Sequence, residues 1–367
     1  MIFRVQYILL SFALLLQFEA VNAQSKKESS AIQIYKDAKK EFLSFERMHG
    51  AFVQTKNVNM HYLSWGNPGS PCLIWAHGSM NNGYELLDIA DSLVKAGYHV
   101  IAIDYYGHGQ TAMPDHEVSI YHIADDIKFL MDKLSIEKAF IGGFSRGGYV
   151  ATAFYDSYPE NVLGLILEDG GSVAANTYYH KLDAHKLEQI SKKFDLKQAT
   201  PWDKTYRTQF EAFNSLYDST EVSNQFSIFA LLKENKTRDW GIIYSDMMKL
   251  FNLENSGQFV DLVLRTSKVP LFARSMVTME PRMIFRNLRT PVLILDAVSQ
   301  DDPMPFEKEN EALKNVHPNY ITYKVYPNTE HNIHYAHPEM FTKDLLDFLK
   351  KPSRVHVTMN STKLGSH

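Results

Sequence analysis

The chain has 367 residues, of which 45% are hydrophobic and 22% charged, a balance that excludes a disordered protein and suits one large core carrying an insertion. A net charge of -4 and a pI near 6.4 exclude the electrostatic footprint of a nucleic-acid binder. Cys72 is the single cysteine, so no intramolecular disulfide is available, and its apolar neighbours make it a small buried hydrophobe.

In chain order, residues 1–23 come first. Arg4, an apolar run from Ile8 to Phe18, and the small residues Val21 and Ala23 follow the order of a secretory signal peptide cut after Ala23. The run is too short for a comfortable membrane span, which leaves an uncleaved anchor as the lesser alternative. The expectation is a secreted or periplasmic chain with no stable membrane insertion after cleavage. Residues 24–50 read as a helical extension with Ile32, Tyr35, Phe42 and Phe45 along one side. "GAFVQT" and "NMHYLSW" then predict two strands joined as a hairpin.

Next come nearly continuous apolar runs ending in polar turns: "PCLIWAHG", "HVIAIDYYGHG", "KAFIGGFS", "VLGLILEDGG" and "TPVLILDAVS". Such runs fit strands covered on both faces, hence a parallel sheet. Helical stretches such as "YELLDIADSLVKAG" and "IYHIADDIKFLMDKL" separate several of them, which predicts an α/β fold with a mostly parallel central sheet flanked by helices. Function in such a sheet belongs at the carboxyl ends of the strands. The predicted core occupies residues 51–171 and 290–350. Residues 172–289 lack the strand pattern, and 351–367 form a polar tail.

"IGGFSRGGYV" places Ser145 between a strand and a helix, with Gly143 and Gly147 two residues to either side. In this G-x-S-x-G pattern a strand turns at once into a helix, forcing close approach of backbones and a strained corner residue. The bare motif is short and common, but here the strand before it and the helix after it are both present. The corner holds a hydroxyl above the sheet, at the positive end of a helix.

With that motif, "HGS" at His77 to Ser79 and "DYYGHGQT" at Asp104 to Thr111, the chain resembles the α/β-hydrolase family from about Val53 to Leu349, outside the divergent middle. The resemblance implies that Ser145 is the nucleophile and that the backbone amides of Ser79 and Arg146 form the oxyanion hole. Fixed amide donors are what acyl transfer needs, since they face charge that develops only in the transition state. Asp104 is expected to hold its turn. A serine hydroxyl needs a base, and the resemblance points to His331, beyond the last strand and before Pro338, although Glu330 stands where the family usually has glycine. His331, His334 and His337 could also be read as a metal cluster, but no acidic or cysteine ligand pattern accompanies them. The expected acid is Asp301, four residues before Pro305, with Asp302 as competitor and Asp296 still at the strand end. Glu168 and Asp169, ending the preceding strand, are the next candidates.

By the same resemblance, residues 172–289 look like a helical cap. Its aromatic stripes, Trp202, Tyr206, Phe210, Phe213 and Tyr217, then Trp240, Tyr244, Met247 and Phe251, mostly read as packing. A cap of this make-up leaves an apolar pocket over Ser145. The expectation is an exported serine hydrolase without cofactor or metal, acting on a carboxylic ester of a small hydrophobic molecule. A lactonase, amidase, peptidase or perhydrolase with the same triad, or a non-catalytic binding module of the same fold, are the alternatives. An aspartate at position 145 would have pointed to dehalogenase or epoxide chemistry instead. Nucleic acid is not an expected partner, and the sequence is silent on oligomeric state.

Overall fold

The computed structural model describes residues 29–195, 204–220, 224–242, 244–300, 302 and 305–350. The expected signal segment, the polar tail, Trp202 and Asp301 lie outside these residues.

Helix α1 (29–49) precedes the hairpin of β1 (Gly50–Gln54) and β2 (Asn59–Trp65). The core continues through β3 (Cys72–Ala76), α2 (Leu87–Lys95), β4 (His99–Ile103), α3 (Ile120–Lys133), β5 (Ala139–Phe144), α4 (Arg146–Ser157) and β6 (Val162–Glu168). The insert holds α5 (Ala184–Ser191), α6 (Gln209–Leu216), α7 (Asn224–Leu231), β7 (Leu232–Glu234), β8 (Trp240–Ile242), α8 (Tyr244–Phe251), α9 (Ser256–Leu264), α10 (Leu271–Val277) and α11 (Pro281–Ile284). The core resumes with β9 (Val292–Val298), α12 (Glu307–Val316), β10 (Ile321–Pro327), α13 (Ile333–Ala336) and α14 (Pro338–Leu349).

Eight strands form one sheet in the order β1-β2-β4-β3-β5-β6-β9-β10. Only β1 with β2 and β2 with β4 run antiparallel; the other neighbours are parallel. Every residue of β3, β4 and β5 is buried, because helices cover both faces, and this explains their unbroken apolar runs. The edge strand β10 is fully buried only at Ile321 and Tyr326. Cys72 is buried in β3, and burial pushes its thiol up to about 12, so it stays a protonated apolar side chain.

The insert is mainly helical, with one antiparallel ribbon of β7 and β8 that the sequence pattern does not reveal. Its stripe residues pack: Phe213 stacks on Phe229 at 4.8 Å between ring centres and meets Tyr35 of α1 at 5.5 Å. Phe42 of α1 reaches Phe229 at 5.3 Å. The N-terminal helix and the insert therefore share one aromatic cluster.

Candidate active site

Strand β5 ends at Phe144 and α4 begins at Arg146, so Ser145 alone makes the corner. Its backbone sits at φ 52 and ψ -115, a left-handed position costly for a residue with a Cβ. The ladder continues into the corner: the Ser145 amide donates to Glu168 O at 2.8 Å. A Cβ at Gly147 would overlap the carbonyl of Ala76 in β3, and one at Gly143 would overlap Gly147. Those two positions are glycine because three backbones converge there.

The Ser145 hydroxyl lies 2.8 Å from His331 Nε2 and donates to it. His331 stands on the loop between β10 and α13, above the sheet ends. Its Nδ1 donates to Asp169 Oδ2 at 2.5 Å. The acid expected at Asp301 lies outside the described residues; among them, the carboxylate that meets His331 belongs to the residue after β6. The reason is strand order. β6 is the hydrogen-bonded neighbour of β5, with Phe144 paired to Glu168, whereas β9 lies one strand further out. An acid directly beyond β6 therefore needs no long reach. Asp169 is pinned by its amide, which donates to Leu295 O of β9 at 2.8 Å, and it too has a positive φ, 46°. Burial raises its carboxyl pKa against the opposing pull of His331. Asp296 stays inside β9, where it accepts from Tyr323 Oη at 2.5 Å and Asn310 Nδ2 at 3.1 Å.

The other two histidines of the cluster go elsewhere. His334 Nδ1 donates to the Glu168 carboxylate at 2.8 Å, and His337 Nε2 lies 2.9 Å from Thr329 Oγ1. Among the described residues, no group of three or more His, Cys, Asp or Glu is placed to hold a metal ion.

The loop after β3 is tied from several sides. The buried Glu85 carboxylate accepts from Trp75 Nε1 at 2.8 Å, Gly78 N at 2.9 Å and Asn81 Nδ2 at 2.8 Å. Burial raises its pKa to about 7. His77 stacks on Tyr105 with 4.1 Å between ring centres, and burial lowers its pKa to about 4, so it remains neutral. Ser79 follows, joined to the corner by the Arg146 side chain, whose Nε donates to Ser79 Oγ at 2.9 Å. The Arg146 amide, first in α4, has no intrahelical acceptor by position and is available to an oxyanion. Asp104 does hold its turn, accepting from Gly83 N at 2.6 Å and Gln110 N at 2.8 Å.

A cavity of about 370 Å³ opens over Ser145 and His331. Phe194, Phe259, Leu262, Met276 and Val277 supply its apolar wall, and none of them belongs to the stripes singled out from the sequence. Among the described stripe residues, Phe213, Met247 and Phe251 are buried on helices, whereas Tyr206 and Trp240 pair across a β-bridge instead of continuing a helical stripe; the lining residues gather from separate elements. A second cavity, about 640 Å³, meets the first at Ser79, Phe144 and Asn332 and runs toward α7. The site can hold a group on each side of Ser145. Among the described residues, no helix is long and apolar enough to cross a membrane.

A family model described as the alpha/beta hydrolase fold matches residues 71–338. Among curated proteins, Epoxide hydrolase 1 of Caenorhabditis elegans is 31% identical over 121 residues, 31% of this chain and 29% of that protein. The first such relatives are therefore matched over well under half their own length. Among solved structures, a carboxylesterase of Nitrososphaera gargenis superposes with a TM-score of 0.52 at 20% identity, over 82% of this chain and 97% of that one. The thioesterase domain from the curacin biosynthetic pathway gives 0.55 at 15%, over 81% and 98%. At such identities these two structures speak to the fold alone.

Proposed function

The chain belongs to the α/β-hydrolase family, and from that premise we propose that it is an exported serine hydrolase that cleaves carboxylic esters through Ser145, His331 and Asp169. The observation that carries this reading is the unbroken relay of 2.8 Å from Ser145 Oγ to His331 Nε2 and 2.5 Å from His331 Nδ1 to Asp169. Ser145 Oγ attacks the ester carbonyl while His331 takes its proton. The amides of Ser79 and Arg146 receive the negative charge on the carbonyl oxygen. His331 returns the proton to the departing alkoxide, leaving an acyl-enzyme and an alcohol. Water, deprotonated by His331, then attacks the acyl-enzyme, and the proton goes back to Ser145 as the acid leaves. Asp169 keeps Nδ1 protonated and stabilises the imidazolium formed in each half-reaction.

The relative named as an epoxide hydrolase does not move this reading, because position 145 is serine rather than the aspartate that epoxide chemistry suggests. The two adjoining cavities suit an acyl group and an alcohol group on opposite sides of the bond that breaks.

The direct test is a fluorophosphonate probe on the folded protein. Stoichiometric labelling that disappears in Ser145→Ala and falls steeply in His331→Ala is the expected result. A folded chain that ignores the probe and turns over no ester would remove the proposal. Export rests on residues 1–23 alone; N-terminal sequencing of protein recovered outside the cytoplasm should begin at Gln24.

A further inference from the structure

Arg146 is a cation in an unusual place. The residue is only 9% exposed and lines the cavity over Ser145. Arginine buried this far normally meets a carboxylate, since removing a full charge from water is offset only by a counter-charge or by many hydrogen bonds. Arg146 has neither. Its Nε donates to the Ser79 hydroxyl at 2.9 Å, and its Nη1 lies 2.9 Å from the thioether sulfur of Met276. Its guanidinium carbon sits 3.6 Å from the centre of the Phe251 ring. These partners are neutral, and two of the five N–H donors account for the recorded bonds. No ion pair joins Arg146 to any carboxylate among the described residues.

The ring face of Phe251 attracts the cation above it. Burial lowers the Arg146 pKa to about 10, which still leaves it charged at neutral pH. The molecule therefore keeps an incompletely paired positive charge at the wall of a mostly apolar chamber. Arg146 Nε bonds the hydroxyl of Ser79, and both residues line the same cavity as Ser145, so the charge borders the chamber in which the ester carbonyl is attacked.

Resting on the ester-hydrolase reading above, we infer that the natural substrate carries a carboxylate on its acyl part, close to the ester carbonyl, and that the Arg146 side chain binds it. A planar guanidinium takes a carboxylate through two parallel hydrogen bonds, and a dry apolar wall strengthens that pair. The substrate class is a half-ester of a short dicarboxylic acid rather than a simple fatty ester. The uncharged remainder packs against Phe194, Phe259 and Leu262.

The test compares monoethyl succinate with ethyl 4-methylpentanoate, which puts a branched alkyl end of the same shape where the carboxylate stands. Wild-type kcat/KM should favour the charged ester at least tenfold. Arg146→Met, which keeps the backbone amide, should reverse that ratio, mostly through KM, while the melting temperature holds or rises. Arg146→Lys, retaining charge without the fork, should fall between. A binding arm is independent of turnover: succinate should raise the melting temperature of Ser145→Ala, and Arg146→Met in that background should abolish the shift. A wild-type preference for the neutral ester overturns the inference. So does an equal loss on both esters with a lowered melting temperature in Arg146→Met, which would make the side chain a prop for Ser79. If no ester is hydrolysed but succinate still binds through Arg146, the esterase reading fails and the anion site stands.

Discussion

Two residues at the ends of neighbouring strands, Ser145 and Asp169, both hold positive φ angles of 52° and 46°. Strain of this kind persists only where the surroundings over-determine it, and here adjoining ladder bonds hold both corners. Asp169→Asn keeps the shape but lets the imidazole of His331 settle in the wrong tautomer. The corresponding change in a serine protease costs about 10⁴ in kcat, and a loss of that order is expected here. Asp302→Asn should lose less than about tenfold, roughly 1.4 kcal/mol of barrier. Steady-state kinetics of both variants on one activated ester decide between the two loops. The sequence leaves this choice open because the order serine, acid, histidine fits Asp169 and Asp301 equally well. What separates them is which strand lies beside β5, and no local pattern contains that. Ser145 was legible as a glycine-flanked corner, a local feature, and His331 through the family resemblance of the loop before Pro338. Arg146 was noticed only for its amide; its long side chain finds Met276 and Phe251, which are 130 and 105 positions away, and sequence spacing does not signal such meetings.

At the level of elements, the corner joining β5 to α4 depends on neighbours that have no room to retreat. Gly147→Ala would place a methyl carbon into the backbone of Ala76, in the central strand β3, where no flexible side chain can yield. The expected cost is about 3 kcal/mol or more, at the upper end of what overpacking exacts. It should appear as a large drop in the denaturant midpoint together with lost activity; a variant as stable as wild type would mean that the corner is looser than the geometry requires. The parallel strands could be read as apolar runs since both their faces are covered. The ribbon of β7 and β8 could not, with three residues per strand giving no alternation to detect. Helix α1 was legible by its stripe, but its partners Phe213 and Phe229 were not, being long-range neighbours.

For the whole molecule, His61 links three separate parts of the chain. Its Nδ1 donates to Asp104 Oδ2 at 2.7 Å, and its Nε2 lies 3.1 Å from Glu46 Oε2 on α1. Burial alone would lower its pKa, but the carboxylates of Asp104 and Glu46 outweigh burial and raise it to about 9. A folded value above the unfolded 6.5 means that the stabilisation is complete below pH 6.5 and is lost as pH rises through 9. The amount is on the order of 3 kcal/mol. Glu85 and Asp296, both raised to about 7 chiefly by burial, act in the same sense at lower pH: the fold favours their neutral forms, so stability falls from their unfolded values toward 7. Chemical denaturation between pH 6 and 9.5 should show the decline, and His61→Gln should flatten it above pH 6.5; an unchanged slope would mean that His61 is neutral in the fold. The position of Asp169 has another consequence. With that carboxylate supplied just beyond β6, no acid after β9 is needed to hold His331, while Phe306, just before α12, reaches the cavity wall. The proposed relay and this part of the cavity wall then lie on different connections. A change at Phe306 can therefore reshape the cavity without touching either hydrogen bond of the His331 ring.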